Sequence, residues 1–150
     1  MPTKSTPKKI PGRNRVAIQR TAAGAPAAAL LRRFALAAAP ARAKITLRVA
    51  GAAEARKLNG KYRSRNYATN VLSFAYGKGG GDVVLCHPVI AAEARKQGKT
   101  LRAHYAHLVV HGVLHLRGHD HLRRKDAQRM ERREIAILRR LGFGNPYELK

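Results

Sequence analysis

The sequence predicts a single α/β or α+β domain in which helices pack on a sheet. The chain has 150 residues, a length that suits one domain with a hydrophobic core of its own. Short segments of strand character alternate along it with longer segments of helical character, which indicates a layered fold. The single cysteine, Cys86, excludes an intrachain disulfide and fits a reducing compartment such as the cytoplasm. No apolar run approaches the roughly 20 residues that cross a bilayer, so we expect no membrane contact of that kind.

The N-terminus differs in composition from the rest of the chain. Residues 1–12 contain three prolines and three lysines with few apolar side chains, which indicates a disordered basic arm. Residues 13–150 then form the predicted domain. No acidic residue precedes Glu54, and an N-terminus without acidic residues can indicate an organelle transit peptide. Serine is too scarce here for that interpretation.

Two strands and two helices are predicted in the first part of the domain. Val16–Ile18 is a short strand. Ala27–Ala39 is rich in Ala and Leu and is flanked by prolines, as helices often are. Ile45–Val49 alternates apolar and polar residues, the pattern of a half-buried strand. Ala52–Leu58 is a short helix.

The middle of the chain predicts a pair of strands. A polar, basic loop covers Asn59–Asn66, and the apolar strand Val71–Phe74 follows it. The glycine-rich segment Gly77–Gly81 predicts a turn. Asp82–Cys86 has the continuous apolar character of a buried strand.

Three helices complete the predicted domain. They cover Pro88–Gln97, Leu101–Leu116 and Arg123–Leu141, and a glycine follows each of them within two residues. The acidic residues of the last helix lie among many arginines, and we expect them to form ion pairs within the helix. These residues are Asp126, Glu131 and Glu134.

The net charge of +23, from 31 Lys and Arg against 8 Asp and Glu, favours a polyanionic partner. Nucleic acid is the first candidate and an anionic membrane surface is the second. A general richness in Arg and Ala would also produce such a charge. Charge alone therefore does not distinguish a nuclease from a coat protein or a nucleoid protein.

The strongest chemical signal is a histidine cluster at the end of the helix Leu101–Leu116. His111 and His115 are four residues apart, so their imidazoles share one helix face and can bind one metal ion. Gly118 can end the helix, which allows the chain to return and His121 to supply a third nitrogen. Three imidazoles with an open fourth position are typical of a catalytic zinc site. Zn²⁺ is the first choice, although Ni²⁺ or Cu²⁺ also suits these ligands.

Several neighbours have competing interpretations. His119 is a rival third ligand, but Gly118 should interrupt the helical series that would place it there. Asp120 is equally suited to accept a hydrogen bond from a ligand imidazole and to cap the next helix. We expect His104 and His107 at the surface, with a position along a cleft as the alternative.

The histidine spacing is that of the metzincin proteases, H-E-x-x-H-x-x-G-x-x-H, with one difference. Gly112 occupies the position of their general-base glutamate. The metal-binding pattern is therefore present, but peptide hydrolysis by that route has no proton acceptor.

Three ordered motifs resemble those of the YbeY-type endoribonucleases, a family of bacterial rRNA maturation factors. The family signature H-G-x-L-H-L-x-G-x-D-H is complete from His111 to His121. One upstream signature matches Leu58–Arg63 followed by Thr69–Phe74, and a strand motif matches Gly81–Val84. The resemblance covers about residues 13–143.

The resemblance implies a mixed four-stranded sheet packed with helices, with the metal-binding helix bordering a basic cleft. It assigns one zinc ion per chain to His111, His115 and His121, and a catalytic role to Arg63, whose guanidinium can hold two phosphate oxygens. Further candidates line the cleft or hydrogen bond to the metal ligands: Asp120, Ser73, Asn70 and His119.

The implied activity is metal-dependent, single-strand-specific endoribonuclease action in 16S rRNA 3′-end maturation and ribosome quality control. The implied partners are the small ribosomal subunit with its proteins, and an rRNA-binding GTPase. The main alternative is a non-catalytic ribosome-assembly factor with a structural metal. Another zinc hydrolase is less favoured because of Gly112, and a nucleoid protein would leave the histidine spacing to chance.

Overall fold

A mixed four-stranded sheet lies at the centre of the computed structural model, which describes residues 15–63, 69–118 and 123–148 and gives the backbone alone at 62–63. The strands run in the order β1-β2-β4-β3, with β1, β2 and β4 parallel and β3 antiparallel to β4 at one edge. They are β1 (Arg15–Arg20), β2 (Lys44–Ala50), β3 (Val71–Gly77) and β4 (Gly80–Cys86). This arrangement confirms the expected fold class. The predicted arm, residues 1–12, lies outside the described residues.

Strand β4 is buried along its whole length because it has a strand on each side and packed side chains on both faces. Val83 and Leu85 point into the larger core cluster. Val84 points to the opposite face and packs with Ala50 and Leu72. A strand covered on both faces explains the continuous apolar run in the sequence.

Helix α4 is the central helix and packs against β3, β4 and three other helices. Apolar residues therefore occur on nearly every side of it, with Val109, Val110 and Leu114 fully enclosed. No helix among the described residues is long and apolar enough to span a membrane. The helices are α1 (Ala28–Ala38), α2 (Ala52–Arg63), α3 (His87–Gln97), α4 (Leu101–Leu116) and α5 (Arg124–Arg140).

Two predicted loops are wrong in extent. Helix α2 continues to Arg63 through the first part of the predicted loop Asn59–Asn66, because Asn59 turns inward and is buried. The predicted turn Gly77–Gly81 is shorter, since Gly77 already pairs with Gly80. Only Lys78 and Gly79 form the hairpin turn, with φ of 54° and 77°. Positive φ at both central residues matches the twist of the two strands, which is why so short a turn suffices.

Candidate metal centre

A row of histidines runs along one side of α4. Thr100 caps the helix, and its hydroxyl accepts a hydrogen bond from the backbone of Ala103 at 3.0 Å. Steps of three or four residues keep the row on one helix face. Its members are His104, His107, His111 and His115.

His111 and His115 turn their imidazole rings toward each other. Their ring centroids are 4.7 Å apart, and the two Nε2 atoms are separated by 3.1 Å. Two nitrogens bound to one tetrahedral zinc at 2.0–2.1 Å lie about 3.3 Å apart. The pair therefore fits a shared metal ion. His121, the predicted third ligand, lies outside the described residues, as do His119 and Asp120.

A buried carboxylate, Glu134 of α5, supports His111 from behind. Its Oε2 accepts hydrogen bonds from His111 Nδ1 at 2.9 Å and from His107 Nε2 at 3.1 Å. Its Oε1 accepts a hydrogen bond from the Tyr147 hydroxyl at 2.5 Å. In protein metal sites, a histidine that binds the metal through one ring nitrogen commonly donates a hydrogen bond from the other to a carboxylate, which fixes the orientation of the ring.

The sequence interpretation of Glu134 as a partner within its own helix is wrong. Glu134 lies on the buried side of α5 together with Met130, Ile137 and Leu138. Their spacing is the helical spacing of an apolar stripe, so the position of Glu134 within that stripe was the signal that could have revealed it. Tyr147 gives no comparable signal, because it follows α5 in an irregular segment.

Hydrogen bonds keep the buried carboxylate charged. Burial by itself raises the pKa of Glu134, but the hydrogen bonds from His107, His111 and Tyr147 outweigh it and hold the pKa at about 2. The same contact acts in the opposite direction on its partner, since burial and the neighbouring carboxylate raise the pKa of Tyr147. Glu134 is thus an anion, and Tyr147 is a neutral donor, over the physiological range.

His104 and His107 are not at the surface, contrary to expectation. The His104 side chain is 4% exposed and its Nε2 lies 2.9 Å from Glu93 Oε1. Burial lowers the pKa of His104, with only partial compensation from Glu93. The His107 side chain is 13% exposed. Both histidines are covered because α4 has neighbours on almost every side.

His107, His111 and Glu134 also form a group that could hold a metal ion, since their ligand atoms lie within 4.8 Å of one another. Hydrogen bonds account for these distances, because each of the two histidines donates one to Glu134. His111 therefore has two functional sides. Its Nδ1 faces the carboxylate, and its Nε2 faces His115.

A cleft of about 410 Å³ opens beside the two histidines, between α4 and the edge strand β3. Its lining carries no lysine or arginine among the described residues. Arg63 ends α2, and its side chain is not described. The basic character expected of this cleft therefore depends on residues beyond the described lining. The lining residues are Thr69, Asn70, Val71, Leu72, Ser73, Ala75, His111, His115 and Leu116.

Asn70 and Ser73 both line the cleft and both hold its walls together. The Asn70 amide donates to Glu93 Oε1 at 3.1 Å, and its oxygen accepts from the backbone of Val71 at 2.7 Å. Ser73 donates its hydroxyl hydrogen to the carbonyl of Gly112 at 3.0 Å. These contacts fix β3 against α3 and α4.

Gly112 marks the closest approach of α4 to the sheet. A Cβ atom at this position would lie 2.7 Å from Val83 Cγ1 and 3.2 Å from Ser73 Oγ. A glutamate side chain has no room here. The position that supplies the general base in metzincins is thus used in this fold to pack the helix on the sheet.

Comparison with known proteins identifies a family. The family described as Endoribonuclease YbeY matches residues 13–142. Proteins named Endoribonuclease YbeY from Aromatoleum aromaticum and Thiobacillus denitrificans are each 52% identical to this chain, over 128 and 127 residues. The first alignment covers 83% of each chain, and the second covers 81% of this chain and 86% of its relative.

A solved structure supports the same fold. The solution structure of TM1509 from Thermotoga maritima is similar, with a TM-score of 0.55 and 19% sequence identity, over 90% of this chain and 99% of that chain. At this identity the likeness concerns the fold alone. The sequence matches confirm the family that the three motifs indicated, and the chain therefore belongs to the endoribonuclease YbeY family.

Proposed function

We propose that this protein is a metal-dependent endoribonuclease that cleaves single-stranded RNA during 16S rRNA 3′-end maturation and ribosome quality control. The observation that carries the proposal is the pair of Nε2 atoms of His111 and His115, 3.1 Å apart at the edge of a cleft. Membership of the family supports RNA as substrate. The small ribosomal subunit and an rRNA-binding GTPase are the proposed partners, and the cytoplasm is the proposed location.

The proposed ligands of one Zn²⁺ ion are His111, His115 and His121. Neutral imidazoles suit zinc first and Ni²⁺ as an alternative. When bound, such an ion supplies a Lewis acid and lowers the pKa of water toward about 7, which provides a nucleophile for the phosphodiester. Glu134 keeps His111 in position for this role.

The residues of the chain supply the remaining functions. No carboxylate can follow His111, since Gly112 packs on Val83, and the chemistry must proceed without a general base at that position. Arg63 is proposed to hold the phosphate, because a guanidinium binds two phosphate oxygens in one plane. The cleft volume of about 410 Å³ falls within the usual range of ligand sites and leaves room for part of an RNA strand.

Helix α5 offers a surface for the rest of the RNA. Its outer side carries a stripe of exposed basic residues, opposite the buried side that carries Glu134. Like charges three and four residues apart repel each other, and a polyanion would relieve that repulsion. The expected ion pairs within α5 are wrong for the described residues, where no carboxylate lies within 4.0 Å of these cations. We call this surface the α5 stripe: Lys125, Arg129, Arg132, Arg133, Arg139 and Arg140.

Elemental analysis and an RNA cleavage assay on the same preparations test the proposal. Wild-type protein should contain close to one zinc or nickel per chain and should cleave single-stranded RNA. His115→Ala should lose both the metal and the cleavage, since one of the two facing nitrogens is removed. Cleavage that survives His115→Ala and exhaustive chelation would indicate a contaminating nuclease and would favour a non-catalytic assembly factor.

Arg63→Ala separates phosphate binding from metal binding. This variant should retain the metal and most of the RNA affinity but lose cleavage. A loss of metal or of folding would make Arg63 a structural residue and would refute its proposed role.

A further inference from the structure

We propose that Glu134 and Tyr147 form a positioning pair that holds His111 in the tautomer protonated at Nδ1, with Nε2 directed toward His115. This inference rests on the proposed function in one respect, since a metal at Nε2 is the reason for selecting the tautomer. Glu134 acts through His111, and Tyr147 acts through Glu134. Neither residue touches the RNA in this proposal.

The hydrogen bonds around Glu134 support this tautomer of His111. Two ring nitrogens approach Oε2 of Glu134 and the Tyr147 hydroxyl approaches Oε1, and a carboxylate accepts hydrogen bonds from such donors. His111 therefore carries its hydrogen on Nδ1, 2.9 Å from Oε2, and His107 carries its own on Nε2, 3.1 Å from the same oxygen. A neutral imidazole has one such hydrogen, so His111 Nε2 presents a lone pair.

The carboxylate itself depends on Tyr147. Glu134 is fully buried, and among the described residues its hydrogen bonds come from His107, His111 and Tyr147 rather than from Arg or Lys. A buried anion is costly unless several hydrogen bonds satisfy it. The Tyr147 hydroxyl bonds Oε1 and thereby leaves Oε2 to receive both histidines.

Tyr147 reaches this position because the C-terminal segment folds back over α4. Lys99 Nζ donates to the carbonyl of Pro146 at 3.1 Å, which anchors the segment. The Tyr147 ring meets His107 edge to face, with centroids 5.3 Å apart. The residue is 41% exposed overall, yet its hydroxyl points inward at Glu134. The segment thus acts as a cover over the carboxylate.

The histidine tautomer can be measured directly in the metal-free protein. Nitrogen-15 chemical shifts of the imidazoles distinguish a protonated Nδ1 from a protonated Nε2. Wild-type His111 should be protonated at Nδ1. The tautomer should be lost in Glu134→Leu, which removes the acceptor but suits the apolar stripe, and largely retained in Glu134→Gln, which keeps a neutral acceptor. A wild-type His111 protonated at Nε2 would overturn the proposal.

Metal affinity provides a second readout that does not depend on RNA cleavage. In competition with a chelator, Glu134→Leu should bind Zn²⁺ 10–100-fold more weakly, the range found when such supporting groups are removed. Glu134→Gln should restore part of the affinity, and Tyr147→Phe should show a smaller loss. The matched control is Glu131→Leu, one turn earlier on the same helix, which should bind as wild type.

The outcomes separate this proposal from the proposed function. Folded Glu134→Leu with wild-type zinc affinity would refute the positioning role. If that variant does not fold, the wild-type tautomer and the Tyr147→Phe affinity still decide. Wild-type protein that binds no metal would refute the proposed function, while the tautomer of His111 would still test the role of Glu134.

Discussion

Glu134, outside the histidine motif, and Gly112, within it, show how single residues decide what the two histidines can do. Glu134 accepts a hydrogen bond from Nδ1 of His111. Gly112 lets α4 approach β4 closely enough for both histidines to border the cleft. The i, i+4 spacing of His111 and His115 is local, so their convergence could be predicted from the sequence. Glu134 is 23 residues from His111, and only the packing of α5 brings it there.

The close approach at Gly112 leads to a stability prediction. Gly112→Ala places a methyl group 2.7 Å from Val83 Cγ1, and Val83 is fully buried on the inner strand β4. We expect the free energy of unfolding to fall by about 1–3 kcal/mol, despite the better helix propensity of alanine. Denaturant unfolding measures the change.

The matched control is Gly144→Ala, at a position where an added Cβ meets no atom within 4 Å. It should change stability by less than about 0.5 kcal/mol. Equal stabilities for Gly112→Ala and wild type would mean that the packing of α4 on the sheet is looser than the contacts around Gly112 indicate.

At the scale of elements, the helices with clear ends could be predicted well. Helix α4 occupies the predicted range, because Thr100 and the glycine after the helix mark both of its ends locally. Helix α2 was predicted too short, since the burial of Asn59 depends on distant parts of the fold. The surface positions predicted for His104 and His107 were wrong for the same reason. A helix enclosed by the sheet and three other helices has little exposed surface, and its own sequence does not reveal those neighbours.

The start of α2 is tied to the sheet by a side-chain bridge that should depend on pH. Glu54 receives two hydrogen bonds from Arg48 of β2, at 2.9 and 2.7 Å, and one from Thr21 at 2.9 Å. Burial raises the pKa of Glu54, but these bonds and the charge of Arg48 outweigh it and leave the pKa below its usual value of 4.5. The bridge therefore stabilises the fold above that pH and loses its effect as the pH falls through the lowered pKa.

Glu54→Gln tests this bridge. We expect a loss of about 0.5–1 kcal/mol at pH 7, modest because both side chains are partly exposed to solvent. The difference from wild type should shrink as the pH falls below 4.5 and through the lowered pKa, since the carboxylate then becomes protonated. Thermal unfolding at a series of pH values measures it, with Glu148→Gln at an exposed position as the control. A difference that persists at low pH would show that the effect is steric rather than electrostatic.

At the scale of the whole molecule, two parts of the chain contribute to the net charge of +23 and are candidates for contact with RNA. They are the α5 stripe and the basic arm that the sequence predicts at residues 1–12. Each cation that contacts an RNA phosphate releases a counterion, so the salt dependence of affinity counts these contacts. The location of the contacts can therefore be measured, even though a charge of this size raises RNA affinity everywhere on the surface.

Three substitutions on one side of α5 test the stripe: Lys125→Gln, Arg129→Gln and Arg132→Gln in one protein. For single-stranded RNA the slope of log affinity against log salt should become shallower by about 2, from about 0.7 for each lost contact. The cleavage rate at saturating RNA should not change, since Glu134 and the histidines lie on the opposite side of α5.

The control protein carries Arg33→Gln, Arg95→Gln and Lys96→Gln, which remove the same charge at exposed positions on α1 and α3. It should retain most of the wild-type slope, because the general field falls off within about 10 Å at 0.1 M salt whereas contacts act locally. Deleting residues 1–12 should flatten the slope independently of the stripe. Equal slopes for the two triple variants would mean that RNA responds to the net charge alone, and α5 would then have no special part in binding it.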